Sequence, residues 1–141
     1  MINKYHSKVS YGLLIFVFLV FYLPVLPNLF VGEINEKTTG LIAFETVVFT
    51  FIVHLFLNTF YTIENTSLKI RCGVFSYRPI DINLIKEISK TKSIISSPAP
   101  SFDRILIKHG KFDELIISPK DKMDFINDLM KVNPNIKNNI N

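Results

Sequence analysis

Residues 96–121, "SSPAPSFDRILIKHGKFDELIISPKD", decide the fold of the C-terminal half of this chain. The prolines and serines at the start of this stretch predict a loop. The apolar runs "FDRILIKH" and "FDELIIS" are joined around Gly110 and Lys111, which predicts a β-hairpin. "SPKD" predicts a helix start, with Ser118 as the N-cap and Pro119 at the first helical position. The stretch therefore indicates a loop, two paired strands and a helix.

The segments on both sides extend this pattern to a small α+β unit. "INLIKEIS" predicts a helical turn followed by a strand, and "LKIRCGVF" alternates with a period of two, which predicts a half-buried strand. Gly73 marks a bulge or a close backbone approach in that strand. We count about six strands closed by one C-terminal helix. The predicted inward residues are Leu68, Ile70, Cys72 and Val74 in the strand, and Phe125, Ile126, Leu129 and Met130 in the helix.

Three segments carry a resemblance to a known family: "IRCGVFSYRPIDINLIKEI", "SSPAPSFDRILIKHGKFDELIISPKDKMDFI" and the "NP" after the helix. Over about residues 59–135 they resemble the bacterial pleckstrin-homology-like (PH-like) domain of the YyaB-like type. The resemblance implies an antiparallel β-roll capped by one C-terminal α-helix, joined in typical members to one or two transmembrane helices. A full roll of this type has seven strands, so either a further strand lies within residues 82–92 or the roll is incomplete. The resemblance implies little about a ligand, because a fold does not determine ligand choice.

The N-terminal half of the chain is strongly apolar. Residues 9–32, "VSYGLLIFVFLVFYLPVLPNLFVG", carry no charge, and residues 41–60 contain only Glu45 and His54 as ionisable groups. About 20 apolar residues are enough to cross a bilayer, so both segments are predicted to span it. The first segment lacks a small-residue cleavage site, which favours a retained anchor over a cleaved signal peptide. Pro24 and Pro27 predict either a kink in the first span or its end.

These predictions divide the chain into three parts. Residues 1–60 form a two-helix transmembrane hairpin with spans at about 10–31 and 40–60, residues 61–135 form the PH-like domain, and residues 136–141 form a disordered tail. Of the 16 Lys and Arg residues, two precede the first span, one lies between the spans, and the other 13 follow the second. The positive-inside rule therefore predicts a multi-pass protein of the bacterial inner membrane with both termini in the cytoplasm.

Composition and motifs exclude several classes of function. The single cysteine, Cys72, excludes an internal disulfide framework. The net charge of +4 suits anionic lipid headgroups, whereas the interspersed acidic residues argue against nucleic acid as a partner. No spacing of His, Cys or carboxylate residues indicates a metal site, and no nucleotide-binding or nucleophile motif occurs. We therefore expect neither enzyme activity nor a cofactor.

Basic side chains of the predicted domain are the candidate binding residues. Two interpretations stay open for them, namely contact with anionic headgroups and ordinary solvated strand faces. Asp103 and Arg104 likewise have two readings, as a catalytic or binding pair and as a pair that ties the proline loop to neighbouring strands. The candidate binding residues are Lys69, Arg71, Arg104, Lys108 and Lys111.

Glu45 and His54 are candidates for a different reason, because ionisable groups within a span are costly. They lie on opposite faces of one helix and cannot pair within it. Three roles stay open for them: packing through helix–helix hydrogen bonds, contact with another subunit, and movement of protons or ions.

The pattern as a whole favours a membrane protein that presents a PH-like binding or scaffold domain at the cytoplasmic face. The expected partners are the bilayer, anionic headgroups, and a membrane protein or a second copy of the chain. Two alternatives remain. The first is an immunity factor that protects the membrane against a toxic peptide, and the second is a small accessory subunit of a transporter or envelope complex.

Overall fold

The computed structural model describes residues 2–32, 34–93 and 99–140. A helical segment, α1 to α3, lies in sequence between the first and second strands of a sheet. The elements in chain order are β1 (Ile2–His6), α1 (Tyr11–Tyr22), α2 (Leu26–Val31), α3 (Glu36–Leu57), β2 (Thr59–Glu64), β3 (Ser67–Cys72), β4 (Phe75–Ser76), β5 (Ile80–Asp81), a 3-10 helix (Ile82–Leu84), β6 (Ile85–Thr91), β7 (Arg104–His109), β8 (Asp113–Ile117), α4 (Lys122–Val132) and β9 (Lys137–Asn139).

The first sheet has the order β1-β2-β3-β4, and β5 also pairs with β3. All of its pairings are antiparallel. In β1 and β2, His6 pairs with Phe60 and Tyr5 pairs with Tyr61. The strands on either side of the helical segment are therefore direct neighbours, and the helical segment leaves and rejoins the domain at one edge of this sheet.

The second sheet has the order β8-β7-β6-β9. The β7–β8 hairpin turns at Gly110, which adopts a positive φ of 58° that a residue without a side chain tolerates. β9 pairs in parallel with β6. Both the hairpin and the helical turn with its following strand at residues 82–91 are confirmed.

Side chains from both sheets and from α4 form one apolar core. The predicted stripe of α4 is confirmed, since three of its four members are fully buried and the fourth packs against the core. Because this apolar stripe of α4 faces the core, the helix closes the core as the cap of the roll. The fully buried core residues include Tyr61, Ile63, Leu68, Ile70, Ile82, Ile88, Ile105, Ile107, Ile117, Phe125, Ile126 and Leu129.

The helical segment leaves most of its apolar side chains outside this core. α3 has 22 residues, and within the described residues it is the one helix long and apolar enough to cross a bilayer, judged by length and composition. α1 is apolar but shorter. The two helices are in contact, because Tyr22 Oη lies 2.9 Å from Thr46 Oγ1 and the rings of Phe18 and Phe49 are 5.6 Å apart.

The structure corrects the predicted continuous span at residues 10–31. The chain forms two separate helices, with Pro24 in the break and Pro27 in the first turn of α2. Proline lacks an amide hydrogen and interrupts a helix, which explains why α1 ends at Tyr22 and a separate helix follows. A second membrane-spanning helix stays a prediction.

Both predicted boundaries of the domain differ from the observed elements. Residues 2–6, assigned to the transmembrane hairpin, form an edge strand of the first sheet. Lys137–Asn139, assigned to a disordered tail, form β9, and Ile136 and Ile140 beside it are buried in the core. Both strands form through hydrogen bonds between backbone groups, which do not require apolar side chains. Their polar sequences therefore did not predict them.

The start of α4 also differs from the prediction. Ser118 is buried and does not cap the helix, which begins at Lys122 after Asp121. Residues 118–120 run beside the end of β1 instead, because Ser118 O accepts from Lys8 N and Lys120 N donates to His6 O. Within the described part of residues 59–135 seven strands occur, β2 to β8, against the six or so counted from sequence, and β1 and β9 lie outside that range.

Candidate functional site

Buried hydroxyl groups hold the point where β1 leads into α1. Tyr61 Oη donates to Ser7 Oγ at 3.1 Å and accepts from the backbone N of Ser118 at 3.2 Å. The hydroxyls of Ser7 and Ser118 are 2.9 Å apart. Burial raises the pKa of Tyr61, so this hydroxyl stays protonated. The end of β1 is therefore bonded both to β2 and to the segment before α4.

Asp103 makes a second set of contacts at the same place. Its carboxylate accepts from Lys122 Nζ and, at 3.0 Å, from Lys8 Nζ. These hydrogen bonds, first the one from Lys122, lower the pKa of Asp103 despite partial desolvation. Ser10 N, just before α1, donates to Pro100 O at 3.0 Å. The start of α1 is thus fixed to the segment before β7 and to the first turn of α4.

At the other end of the helical segment, α3 runs into β2 with only Asn58 between them. Thr59 Oγ1 donates to Leu55 O at 2.7 Å, and Gly73 N donates to Asn58 O at 3.0 Å. Gly73 has a φ of +57°, and a Cβ placed there would lie 2.5 Å from Leu55 Cδ2. The close approach predicted at Gly73 is confirmed, and it is made by α3.

Asp128 on α4 fastens the outer strand β1. It is 6% exposed, accepts from Tyr5 Oη at 2.5 Å and from Asn3 Nδ2, and pairs with Lys131 Nζ at 2.7 Å. The hydrogen bonds from Lys131 and Tyr5 lower the pKa of Asp128 to about 2. Burial and the bond to Asp128 raise the pKa of Tyr5 to about 12.

The outward face of β1, β2 and β3 carries a basic group of side chains around Phe60. Lys4 Nζ lies 3.7 Å from the centre of the Phe60 ring, and the Arg71 guanidinium lies 5.9 Å from it. Lys69 is on the same face and pairs with Glu64. We call Lys4, Phe60, Lys69 and Arg71 the basic face. It can attract anionic groups, and its Phe60 end adjoins the C-terminus of α3.

A comparison with protein families identifies the domain. The family model described as "Bacterial PH domain" matches residues 59–133, more than half of the chain. The chain belongs to the bacterial PH domain family. No curated protein and no solved structure matches it. PH domains are generally binding domains without catalysis, which supports a binding or scaffold role. The match extends from β2 to the end of α4, and β1 and β9 lie outside the matched residues.

The PH domain separates the basic residues that the sequence grouped together. Lys69 and Arg71 share the basic face, whereas Lys108 and Lys111 lie at the opposite end of the domain. Gly110 N bonds to Leu84 O and Ile82 N bonds to Thr66 O, which places the β7–β8 turn at the end remote from α3. There Lys108 Nζ lies 3.6 Å from Glu87, and Lys111 Nζ lies 5.8 Å from the Phe112 ring centre. These two residues line a cavity of about 260 Å³.

Arg104 binds backbone carbonyl groups of the PH domain. It is buried, and its guanidinium donates to Ser101 O and, at 3.1 Å, to Ser93 O. Asp103 pairs with lysines instead of Arg104. The structural reading of this pair is therefore the one that the contacts favour. Residues 96–98 of the predicted proline loop lie outside the described residues.

Glu45 and His54 lie on α3, and the side-chain hydrogen bonds of the described residues join neither of them to α1. Tyr22 bonds to Thr46 and not to Glu45, and His54 Nδ1 lies 3.2 Å from the amide of Asn58. Within the described part of the chain, Glu45 Oε2 is buried without a hydrogen-bond partner. The role of both residues stays a prediction.

Sequence reasoning missed Lys4 and the neighbouring His6 as members of the outward face of the sheet. The alternation of "INKYH", with Asn3 and Tyr5 turned inward, is the signal that could have found them. A groove of about 790 Å³ beside the inward pair is lined by Asp121, Asp124 and Asp128 among others. Among the described residues, no group of three His, Cys, Asp or Glu side chains is placed to hold a metal ion.

Proposed function

We propose that this bacterial PH domain protein is anchored in the cell membrane by α1 to α3 and presents a binding or scaffold surface at the cytoplasmic face. We also propose that it is of the YyaB-like type. The observation that carries the proposal is the continuity of α3 with β2. A 22-residue apolar helix, about 33 Å long at about 1.5 Å per residue, continues into the sheet after a single residue.

The length of α3 supports this placement, since the hydrocarbon layer is about 30 Å thick. Apolar side chains such as Leu41, Phe44 and Val47 are exposed along the helix, and water would be an unfavourable surrounding for them. The docking contacts at Ser7, Asp103 and Gly73 leave no slack between the helices and the domain. The PH domain is therefore held against the headgroups, with both termini on the cytoplasmic side as the positive-inside rule favours.

The proposed binding surface is the basic face. Each near-surface Lys or Arg contributes about 1 kcal/mol to contact with anionic lipid. Lys4 belongs to β1, which precedes α1, and Lys69 and Arg71 belong to β3, which pairs with the strand that follows α3. Lys108 and Lys111 lie at the remote end, so in this orientation they face the cytosol and are open to a soluble partner.

Membrane extraction tests the anchoring. Alkaline carbonate releases peripheral proteins and leaves integral ones with the lipid, so we expect the full-length chain to stay in the membrane pellet. A variant with Phe44→Lys and Val47→Lys, which places charges on the exposed side of α3, is the matched control and should fail to insert. Release of the unaltered chain by carbonate would overturn the proposal.

A second candidate, an accessory subunit or self-associating protein, is favoured by Glu45. A carboxylate oxygen of an apolar helix that has no hydrogen-bond partner in its own chain is costly, and the half-exposed side chain of Glu45 can turn towards a donor of another protein. Glu45→Ala should then abolish co-purification or crosslinking in membranes, and Glu45→Gln should preserve part of it. Unchanged association in Glu45→Ala would exclude this candidate.

A further inference from the structure

The turn between β3 and β4 carries a row of exposed apolar side chains. Val74 is 63% exposed and Phe75 is 55% exposed, and Tyr77 follows them on the same segment. The sequence pattern placed Val74 inward with Leu68 and Ile70. The positive φ of Gly73 turns the chain at this point and directs Val74 away from the core. Adjacent exposed apolar side chains of this kind mark a contact surface.

This turn lies beside α3 and not beyond its end. Gly73 contacts Leu55, and the rings of Phe75 and Phe51 meet edge to face with centres 6.5 Å apart. Phe51 precedes Leu57, the last residue of α3, by about 9 Å along the helix axis at about 1.5 Å per residue. The tip of the turn therefore reaches back along the helix, past the point where α3 joins the sheet.

Backbone hydrogen bonds keep the turn in this position. Gly73 N donates to Asn58 O at 3.0 Å, and Tyr77 N donates to Ile70 O at 2.9 Å. Arg71 Nε donates to Gly73 O at 3.2 Å, which brings the guanidinium to the base of the turn. Hydrogen bonds already hold the turn in one conformation. It therefore loses little conformational freedom when its apolar side chains contact a surface.

The charged residues of the chain segment that contains the turn are of one sign, although Lys69 pairs with Glu64 of β2. From Leu68 to Ile80 the chain carries Lys69, Arg71 and Arg78 and no acidic residue. Apolar and aromatic tips flanked by Arg and Lys suit the boundary between acyl chains and anionic headgroups, where the rings enter the apolar layer and the cations meet phosphate. Tyrosine is enriched at the same depth.

We infer that the turn Gly73–Phe75 inserts into the bilayer beside α3, with Val74 and Phe75 at the acyl boundary and Arg71 at the phosphates. The inference rests on the proposed spanning role of α3. It adds a second, reversible membrane contact to the domain, one that fixes the rotation of the PH domain about the axis of α3. The basic face is then held at a constant angle to the leaflet.

Phe112 offers a matched control for this inference. It is a phenylalanine at another hairpin tip, is 87% exposed, and is followed by Asp113 and Glu114. The β7–β8 turn lies at the end of the domain remote from α3. The two tips thus share exposure and residue type but differ in their predicted surroundings.

Depth-dependent quenching tests the inference. The full-length chain with Cys72→Ala is given one new cysteine, by Val74→Cys, Phe112→Cys or Phe44→Cys, and is labelled with a fluorophore that responds to polarity. Each protein is reconstituted in vesicles of phosphatidylethanolamine and phosphatidylglycerol that contain lipids brominated either near the headgroup or near the chain end. Near-ultraviolet circular dichroism first establishes that the three labelled proteins keep the same fold.

We expect bromine near the headgroup to quench the probe at position 74 strongly. The probe at position 44 should be quenched more by bromine near the chain end than by bromine near the headgroup. Neither lipid should quench the probe at position 112. A quenched Phe44 probe with an unquenched Val74 probe overturns the inference and leaves the membrane anchor intact. If neither the Phe44 probe nor the Val74 probe is quenched, the anchor itself fails and the inference fails with it. Equal quenching of the Val74 and Phe112 probes also overturns the inference, because it removes the difference between the two tips.

Discussion

His6 in β1 and Phe60 in β2 are direct partners across an antiparallel pair, although the whole helical segment separates them in sequence. The helices are therefore an insertion within one sheet of the domain and not an anchor attached to its end. The two ends of the insertion join neighbouring strands, β1 and β2, so a force or a tilt that acts on the helices reaches the sheet through two connections.

The first prediction concerns β1 as part of the fold. A chain in which residues 11–57 are replaced by a short Gly–Ser linker should fold, because Ser7 N and Thr59 O are already 2.9 Å apart. A chain that begins at Asn58 lacks β1 and leaves the edge of β2 and the side of Phe125 uncovered, and it should aggregate or lack a cooperative melting transition. Amide-proton dispersion in NMR spectra compares the two proteins. Equal dispersion and equal melting would show that β1 is dispensable.

The second prediction concerns the carboxylate that holds β1. Asp128→Asn should lower the free energy of unfolding by about 2 kcal/mol, because hydrogen bonds to a buried charged group contribute about 1.5–3 kcal/mol. The control is Asp124→Asn, because Asp124 is an acidic residue in the first turn of the same helix. This variant should change the free energy of unfolding little. Denaturant titration of both variants of the linker-joined chain measures the difference, and a similar loss in the two variants would argue against the role of Asp128.

The third prediction is a pH dependence at the same carboxylate. The folded-state pKa of Asp128 is about 2, below its ordinary value of 3.8, so its contribution to stability is complete above about pH 4 to 5 and declines as the pH falls towards 2. The difference in unfolding free energy between the unaltered protein and Asp128→Asn should therefore shrink over that interval. A difference that stays constant from pH 6 to about pH 2 would contradict the assignment.

Tyr5 provides a second readout of this contact. Its pKa is raised to about 12, first by burial and then by the bond to Asp128. In Asp128→Asn the pKa should fall part of the way towards 10, since burial remains while the carboxylate charge is lost. Ultraviolet titration that compares each protein with its Tyr5→Phe version isolates this tyrosine, and an unchanged pKa would exclude the carboxylate as a cause.

The fourth prediction compares two glycines with nearly the same backbone conformation. Gly73 and Gly110 have φ values of +57° and +58°, so an alanine at either position costs about 1 kcal/mol of backbone strain. At Gly73 the new Cβ would also meet Leu55, including its Cα at 3.2 Å, whereas at Gly110 it would meet the side-chain carboxylate of Asp113, which can move aside. Gly73→Ala should therefore lower the melting temperature of the full-length protein more than Gly110→Ala. Equal shifts would mean that α3 is not packed against this turn.

Sequence patterns predicted the parts of the fold in which local signals agree with tertiary contacts. Local signals of period or turn residues mark three of these parts, namely the turn at Gly110, the stripe of α4 and the strand after Leu84. β1 carries only a short alternation, because its five residues are mostly polar, and its partner β2 lies beyond the helices. β9 is an Asn-rich segment that pairs through its backbone, which composition does not reveal.

The sequence could predict one part of the candidate site, because alternate residues of a strand lie on the same face of a sheet. This rule placed Lys69 and Arg71 together, but it could not show that Lys108 and Lys111 are at the other end of the domain. Arg104 has the sequence appearance of an exposed cation, yet the carbonyls of Ser101 and Ser93 surround its guanidinium. Ser118 resembled a helix cap because its alternative partner, Ser7, is in a strand that the sequence did not reveal.

The central claim is that α1 to α3 lie in the bilayer while the PH domain lies on the cytoplasmic side. Labelling with a membrane-impermeant thiol reagent in intact bacterial spheroplasts tests it most directly, with Lys37→Cys and Phe112→Cys each introduced into the Cys72→Ala chain. The account predicts that the cysteine at position 37 is labelled from outside, and that the cysteine at position 112 is labelled only after the membrane is permeabilised. Labelling of position 112 in intact spheroplasts, or protection of position 37 until permeabilisation, would contradict it.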